Sequence, residues 1–191
     1  MTPPALIRDA RDLAQTLLGE RTERWRHTVG VARRAEDLAA ILDGGRDGID
    51  ADALIAAAWL HDIGYADAVR DSGFHPLDGA RHLDRLRWPR RLSALVAHHS
   101  DARSVARARG LHEELSTYHR EKSPVADALT YADQTVGPAG RRMSITERLA
   151  DMLHRHGPDS PNAAVHHLRE PNLRAVADRV ERRLAALQNA R

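Results

Sequence analysis

The stretch Ala53–Leu60 constrains this chain more than any other segment. It is apolar at every position, so as a helix it has no face to offer water and must be surrounded by other elements. It is too short to cross a bilayer. It also runs straight into His61-Asp62. A carboxylate at the end of a buried helix costs several kcal/mol unless an ion or a metal compensates it. The fold must therefore bury this helix and supply a partner for its terminal charge.

Caps and apolar periodicity predict more helices around it. Pro4 to Leu18 forms one, ended by Gly19. Thr22 to Leu42 forms a longer amphipathic one, stopped by Asp43-Gly44-Gly45. Asp50 caps the apolar helix. Further helices run from His75-Pro76 to about Leu86, from Pro89 to about His99, and from Arg103 to Tyr118. Ser123-Pro124 is a cap followed by proline at the first helical position, which opens a helix through Asp133. Val136 to Gly140 is a loop. Ser144-Ile145-Thr146-Glu147 is a capping box that opens a helix to about His156. Gly157 to Asn162 is a loop, and Pro171 starts a last helix to about Gln188 with a stripe of Leu173, Val176, Val180, Leu184 and Leu187, suited to packing or to a homodimer contact.

With aromatic residues at 4%, the composition favours helices over sheets. The expected fold is all-α, a single domain. Cysteine is absent, which excludes a thiol nucleophile, an iron–sulfur cluster and a cysteine zinc site, so any metal must sit on histidine and carboxylate. The net charge is +2 and no basic tail occurs, so nucleic acid is not indicated. Arg8, Asp9, Arg11 and Asp12 interrupt the start where a signal peptide needs an apolar run. A soluble, cytoplasmic protein with no membrane contact is expected.

The 12 histidines cluster. One His-Asp pair alone is weak, since chance supplies about one in such a composition, and His61 could simply cap the helix end while Asp62 meets an arginine. At 100° per residue, His27 falls at the edge of the apolar face of its helix, where a half-buried, satisfied histidine is the alternative. His99 falls on the buried face set by Leu92, Leu95 and Val96, whereas His98 lies about 100° away. Asp133 sits one turn beyond Leu129. His75 precedes Pro76 at a helix start, where a capping role is the alternative. Imidazole and carboxylate together suit divalent transition metals, and their joint pattern carries more weight than any single residue.

These stretches resemble the HD-domain metal-dependent phosphohydrolases over roughly residues 22–150. The matching motifs are Arg24-Trp25-Arg26-His27-Thr28, Leu60-His61-Asp62-Ile63-Gly64, His75-Pro76…Gly79-Ala80, His98-His99 and Tyr131-Ala132-Asp133. The resemblance implies a helical bundle, with residues 1–21 packing on a core of 22–150 and 151–191 as a helical extension. It implies one or two divalent ions (iron, manganese, cobalt, nickel or zinc). His27, His61, Asp62 and Asp133 would hold the first, and Asp62, His75 and His99 the second, with Asp62 bridging. The implied reaction is attack of metal-activated water on a phosphoester or phosphoanhydride of a nucleotide or related small molecule. His98 would then be a candidate acid or phosphate donor. Arg141 and Arg142 would be candidate substrate contacts, or ordinary solvated loop charges. Order and spacing resemble the bacterial diadenosine-tetraphosphate hydrolase branch, from which Ser100-Asp101-Ala102-Arg103 and Tyr65, where many such proteins carry lysine, depart. A di-iron oxygenase on the same bundle and a non-hydrolytic nucleotide-binding regulatory module remain the alternatives.

Overall fold

The computed structural model describes residues 3–42 and 50–189. The stop expected at Asp43-Gly44-Gly45 lies outside the described residues. Helix α1 is Pro3–Leu18, α2 Glu23–Leu42 and α3 Ala51–Leu60. They are followed by α4 His75–Arg85, α5 Arg90–His98, α6 Ala102–Ala108 and α7 His112–Ser116. Then come α8 Pro124–Gln134, α9 Ile145–His156, a short α10 Pro161–Ala164 and α11 His166–Asn189. Short 3-10 turns at Ile63–Tyr65 and His99–Asp101 lie at the ends of α3 and α5. No strand is present among the described residues, and the fold is the all-α single domain expected. None of the described helices is long and apolar enough to cross a membrane.

The caps act where the sequence places them. Asp50 accepts from Ala53 N, Ser123 from Ala126 N, and Ser144 and Glu147 form the reciprocal box. Helix α3 is the hub: α1, α2, α5 and α8 pack around it, and Leu54, Ala56, Ala57, Ala58 and Leu60 are completely buried. The α11 stripe packs inward, with Leu173 and Val180 buried and Val176, Leu184 and Leu187 against the main core.

Three boundaries differ from expectation. The stretch Arg103 to Tyr118 is two helices, because Gly110 takes a left-handed φ of 70° between them. Ser160 caps the short α10 inside the expected loop, and the chain continues at once into α11. Helix α11 therefore starts at His166, five residues before Pro171. Proline removes its own N–H and crowds the carbonyl four residues back, which is tolerated best near a helix start. The carbonyl left without it belongs to His167, in the exposed first turn, where water can serve it.

Two close backbone approaches set the site. A Cβ on Gly64 would lie 2.0 Å from the His75 carbonyl oxygen and 2.8 Å from Gly79 N, so the end of α3 can meet the start of α4 only through glycine. A Cβ on Gly30 would lie 2.5 Å from Gly140 O, where α2 meets the turn closed by the bridge between Val136 and Arg142. Gly64→Ala is expected to lose about 1–3 kcal/mol in denaturant unfolding, as overpacking does, and to lose metal affinity as well, because His75 moves with its backbone. An unchanged melting midpoint would contradict this close packing.

Candidate metal centre

Six side chains from five parts of the fold converge at the end of α3. Helix α2 brings His27 and the end of α3 brings His61 and Asp62. The start of α4 brings His75, the turn after α5 brings His99, and the end of α8 brings Asp133. His27, His61, Asp62, His99 and Asp133 are buried, and His75 is half-buried. His27 Nε2 lies 3.0 Å from Asp133 Oδ1 and 3.8 Å from Asp62 Oδ2. His61 Nε2 lies 3.4 Å from Asp62 Oδ2 and 3.9 Å from Asp133 Oδ1. On the other side, His75 Nε2 lies 3.4 Å from Asp62 Oδ1 and 3.3 Å from His99 Nε2. The donors form two groups, His27, His61 and Asp133, and Asp62, His75 and His99, each with ligand atoms within 4.8 Å of one another. Asp62 turns one oxygen to each group.

The outer hydrogen bonds orient these rings. Nδ1–H of His61 donates to Ala58 O at 2.8 Å and Nδ1–H of His99 to Val96 O at 2.7 Å, while His27 Nδ1 faces Gly137 O at 3.2 Å. A backbone carbonyl on Nδ1 fixes the tautomer and leaves the Nε2 lone pair for the interior, as in metal-binding histidines. His61 Nε2 is buried and has no hydrogen-bond partner among the described residues. Leaving such a group unmet is costly. His75 Nε2 meets His99 Nε2 at 3.3 Å, where the lone pair of His99 can accept from His75 or from a metal. The donor set and the orphaned His61 Nε2 fit one or two divalent transition metals.

Electrostatics support the same reading. Burial pushes Asp62 up, but Arg24, whose Nη1 donates to Asp62 Oδ2 at 2.7 Å, and then His61 hold it well below the usual carboxylate range. Burial also opposes ionisation of Asp133, yet His27 and His61 hold it well below that range. Desolvation keeps His75 well below, and His99 below, the ordinary imidazole value, so both stay neutral as ligands must. Burial lowers His61 most, but Asp62, Asp133 and the Ala58 carbonyl together outweigh it and the net shift is upward.

The cluster opens into a cavity of about 290 Å³. Tyr65 lines it, stacked on the His75 ring at 4.0 Å between centroids, with the Arg24 guanidinium 3.9 Å from the Tyr65 ring. Burial pushes the Tyr65 hydroxyl up to about 12, so it remains a proton donor. Ser100 donates to Asp133 Oδ2, and Gln134 Nε2 reaches the same oxygen at 2.9 Å.

Three sequence candidates lie elsewhere. His98 turns away by the one-residue rotation of the helix, and its Nε2–H donates to Tyr118 O at 2.8 Å beside a different cavity. Arg141 and Arg142 are exposed, and Arg142 pairs with Asp37. The bridged turn aims both away from Asp133, so the solvated-charge alternative describes their position. The cations that do line the cavity include Arg24, Arg148 and Arg169. Arg24 stands in a quoted motif, but its contact with Asp62 carries no signature in spacing.

The chain matches a known protein family. The model described as HD domain matches residues 24–137. No curated protein and no solved structure gives a significant match.

His99→Ala is expected to lower the number of metal ions bound, measured by elemental analysis, while His98→Ala keeps it at the wild-type value. Metal binding is also expected to release protons at pH low enough for His61, raised above the ordinary imidazole value, to carry one, because a ligating imidazole must be neutral. Affinity then falls as pH falls, and on the acid side of neutrality the calorimetric heat depends on the ionisation enthalpy of the buffer. A buffer-independent heat throughout that acidic range would contradict the assignment.

Proposed function

Because the chain belongs to the HD-domain family, we propose that it is a metal-dependent phosphohydrolase acting on a phosphoester or phosphoanhydride of a nucleotide or related small molecule. The observation that carries this reading is Asp62, grouped with His75 and His99 and turning its other oxygen to His27 and His61, beside a cation-lined cavity. Divalent ions held there would lower the pKa of water and neutralise phosphate oxygens.

The chain's own residues account for the rest. His27, His61 and Asp133 hold one side of the centre, and His75 and His99 the other, with Asp62 shared. The outer carbonyls of Ala58 and Val96 keep the imidazoles in the ligating tautomer. Ser100 and Gln134 occupy Asp133 Oδ2 and leave Oδ1 to face His27. Arg24 bonds to Asp62 and, across the Tyr65 ring, borders the cavity, so its charge is available to a phosphate oxygen. Tyr65, kept protonated, is a hydroxyl donor within the same cavity. The likeness of His75-Pro76…Gly79-Ala80 and of the loop after Asp133 to the diadenosine-tetraphosphate hydrolase branch supports a nucleotide as the substrate.

Protein loaded with manganese, iron, cobalt or nickel is expected to release phosphate or a nucleoside phosphate from at least one member of a broad nucleotide panel, and chelation should abolish the release. Asp62→Asn should bind metal more weakly by at least about 100-fold, beyond the loss typical of an outer contact. Its hydrolysis should fall on the order of 10³-fold, with the helical circular dichroism signal retained. A loaded protein inert across the panel would overturn the proposal. Iron-dependent oxygen uptake without phosphate release would transfer the site to the oxygenase alternative.

A further inference from the structure

Arg169 is the most unusual charge in the molecule. It comes from α11, outside the matched residues 24–137, and only 4% of it is exposed. Its neighbours are neutral: Nη2–H donates to Ser100 O at 2.9 Å, Nη1–H to Asn162 Oδ1 at 3.2 Å, and Met152 Sδ lies 2.9 Å away. Its Nε–H has no partner, and no carboxylate lies within salt-bridge distance among the described residues. Asp101 and Asp133 act on it only from beyond salt-bridge distance, and burial outweighs them, so the guanidinium is held in a disfavoured setting. It lines the same cavity as Asp62, His75, His99 and Asp133.

A second arginine reaches the cavity from the same part of the chain. Arg148, on α9, has a side chain 13% exposed, with Nη2 3.9 Å from Asp133 Oδ1 and Nε unpartnered. Nη1 lies 3.2 Å from Asp151, which offsets it in part. Among the described residues the cavity wall holds five guanidinium groups, including exposed Arg109, and its only carboxylates are the candidate ligands Asp62 and Asp133. Even with Asp151 and Glu23 counted against Arg148 and Arg155, the cations are in excess before any divalent ion binds. A phosphate monoester brings about two negative charges, fewer than two divalent ions add. Charge balance therefore calls for a further anionic group beside the one at the metal centre.

We propose that α9 and α11 build a second phosphate-binding subsite, centred on Arg169 and Arg148, that holds a phosphate group other than the one being cleaved. The substrate then carries at least two linked phosphates. This proposal rests on the phosphohydrolase reading, which puts the first phosphate at the metals. Arginine suits the role because its planar fork can offer paired N–H donors to phosphate oxygens. The cavity, at about 290 Å³, lies at the lower limit of ordinary ligand sites. It has room for a short phosphate chain and leaves the remainder of a larger substrate at its mouth.

The test is calorimetric titration of the metal-loaded protein with methylenediphosphonate, which cannot be hydrolysed at its bridge, and with methylphosphonate. The diphosphonate is expected to bind at least about tenfold tighter, as charge-assisted contacts to a second group would give. Arg169→Gln and Arg148→Gln should each bring the ratio of the two affinities most of the way toward one, whatever each does to methylphosphonate affinity itself. Arg148→Gln keeps the test decisive if the more deeply buried Arg169→Gln fails to fold. Equal affinities for the two probes, or an advantage that survives Arg148→Gln, would overturn the subsite. Phosphate release from monoesters together with either of those results would leave the hydrolase reading standing without the subsite. An arginine-dependent advantage in a protein that hydrolyses no phosphate compound would support the subsite and remove the hydrolase reading.

Discussion

The buried carboxylate of Asp62 is the constraint around which the other parts are arranged. It follows the C-terminal end of α3, where the unpaired carbonyls already concentrate negative potential. The helix before it is apolar from Ala53 to Leu60, so it cannot rotate to carry the charge into water. The compensation comes from elsewhere: Arg24 at the start of α2, His75 at the start of α4, and whatever cation the imidazoles hold. Each lies on an element that packs against α3 or the turn that follows it. The core and the site are thus one problem, since packing that buries α3 also brings the ligands to its end. Gly64 is the narrowest point of that arrangement, because the contact it allows delivers His75 to Asp62.

Much of this was legible in the sequence because it depends on local rules. The caps at Asp50, Ser123 and Ser144 follow from side-chain chemistry, and the rotation between His98 and His99 follows from helical geometry. His27 sits at the edge of its apolar face by angle, yet it is 2% exposed, because the turn from Val136 to Arg142 folds over it. A periodicity argument sees one helix at a time and cannot see that cover. The same turn explains Arg141 and Arg142: proximity in sequence to Asp133 suggested substrate contact, but the bridged backbone carries them outward.

Arg169 was hidden for a different reason. In a chain where 29 residues are basic and all but Lys122 are arginine, no single arginine stands out. Pro171 added to this by suggesting a helix start two residues later, which left Arg169 in an apparent loop. The structure places it on the buried side of a continuous α11, where position and burial, and not residue type, give it meaning. Tyr65 is intermediate. Its difference from the lysine common at that place was visible, but its stacking between His75 and Arg24 depends on three separate elements.

The segment between the second ligand group and α6 ties these observations together. Ser100 and Asp101 are both left-handed, with φ of 54° and 53°, a conformation that costs non-glycine residues about 1–3 kcal/mol each unless the surroundings hold it. Here they do. Ser100 N–H donates to Thr130 Oγ1 at 3.3 Å, its hydroxyl bonds to Asp133, and its carbonyl accepts from Arg169. Asp101 accepts from Ser104 at 2.7 Å and from Asn172 at 3.1 Å. Helices α8 and α11 thus restrain the backbone just after His99, and the same hydroxyl fixes which oxygen of Asp133 faces His27. The C-terminal segment is therefore physically continuous with the centre: it buries the end of α8, holds the strained turn, and places a guanidinium on the cavity wall. A helix outside the matched family region thus restrains the turn that borders the candidate ligands.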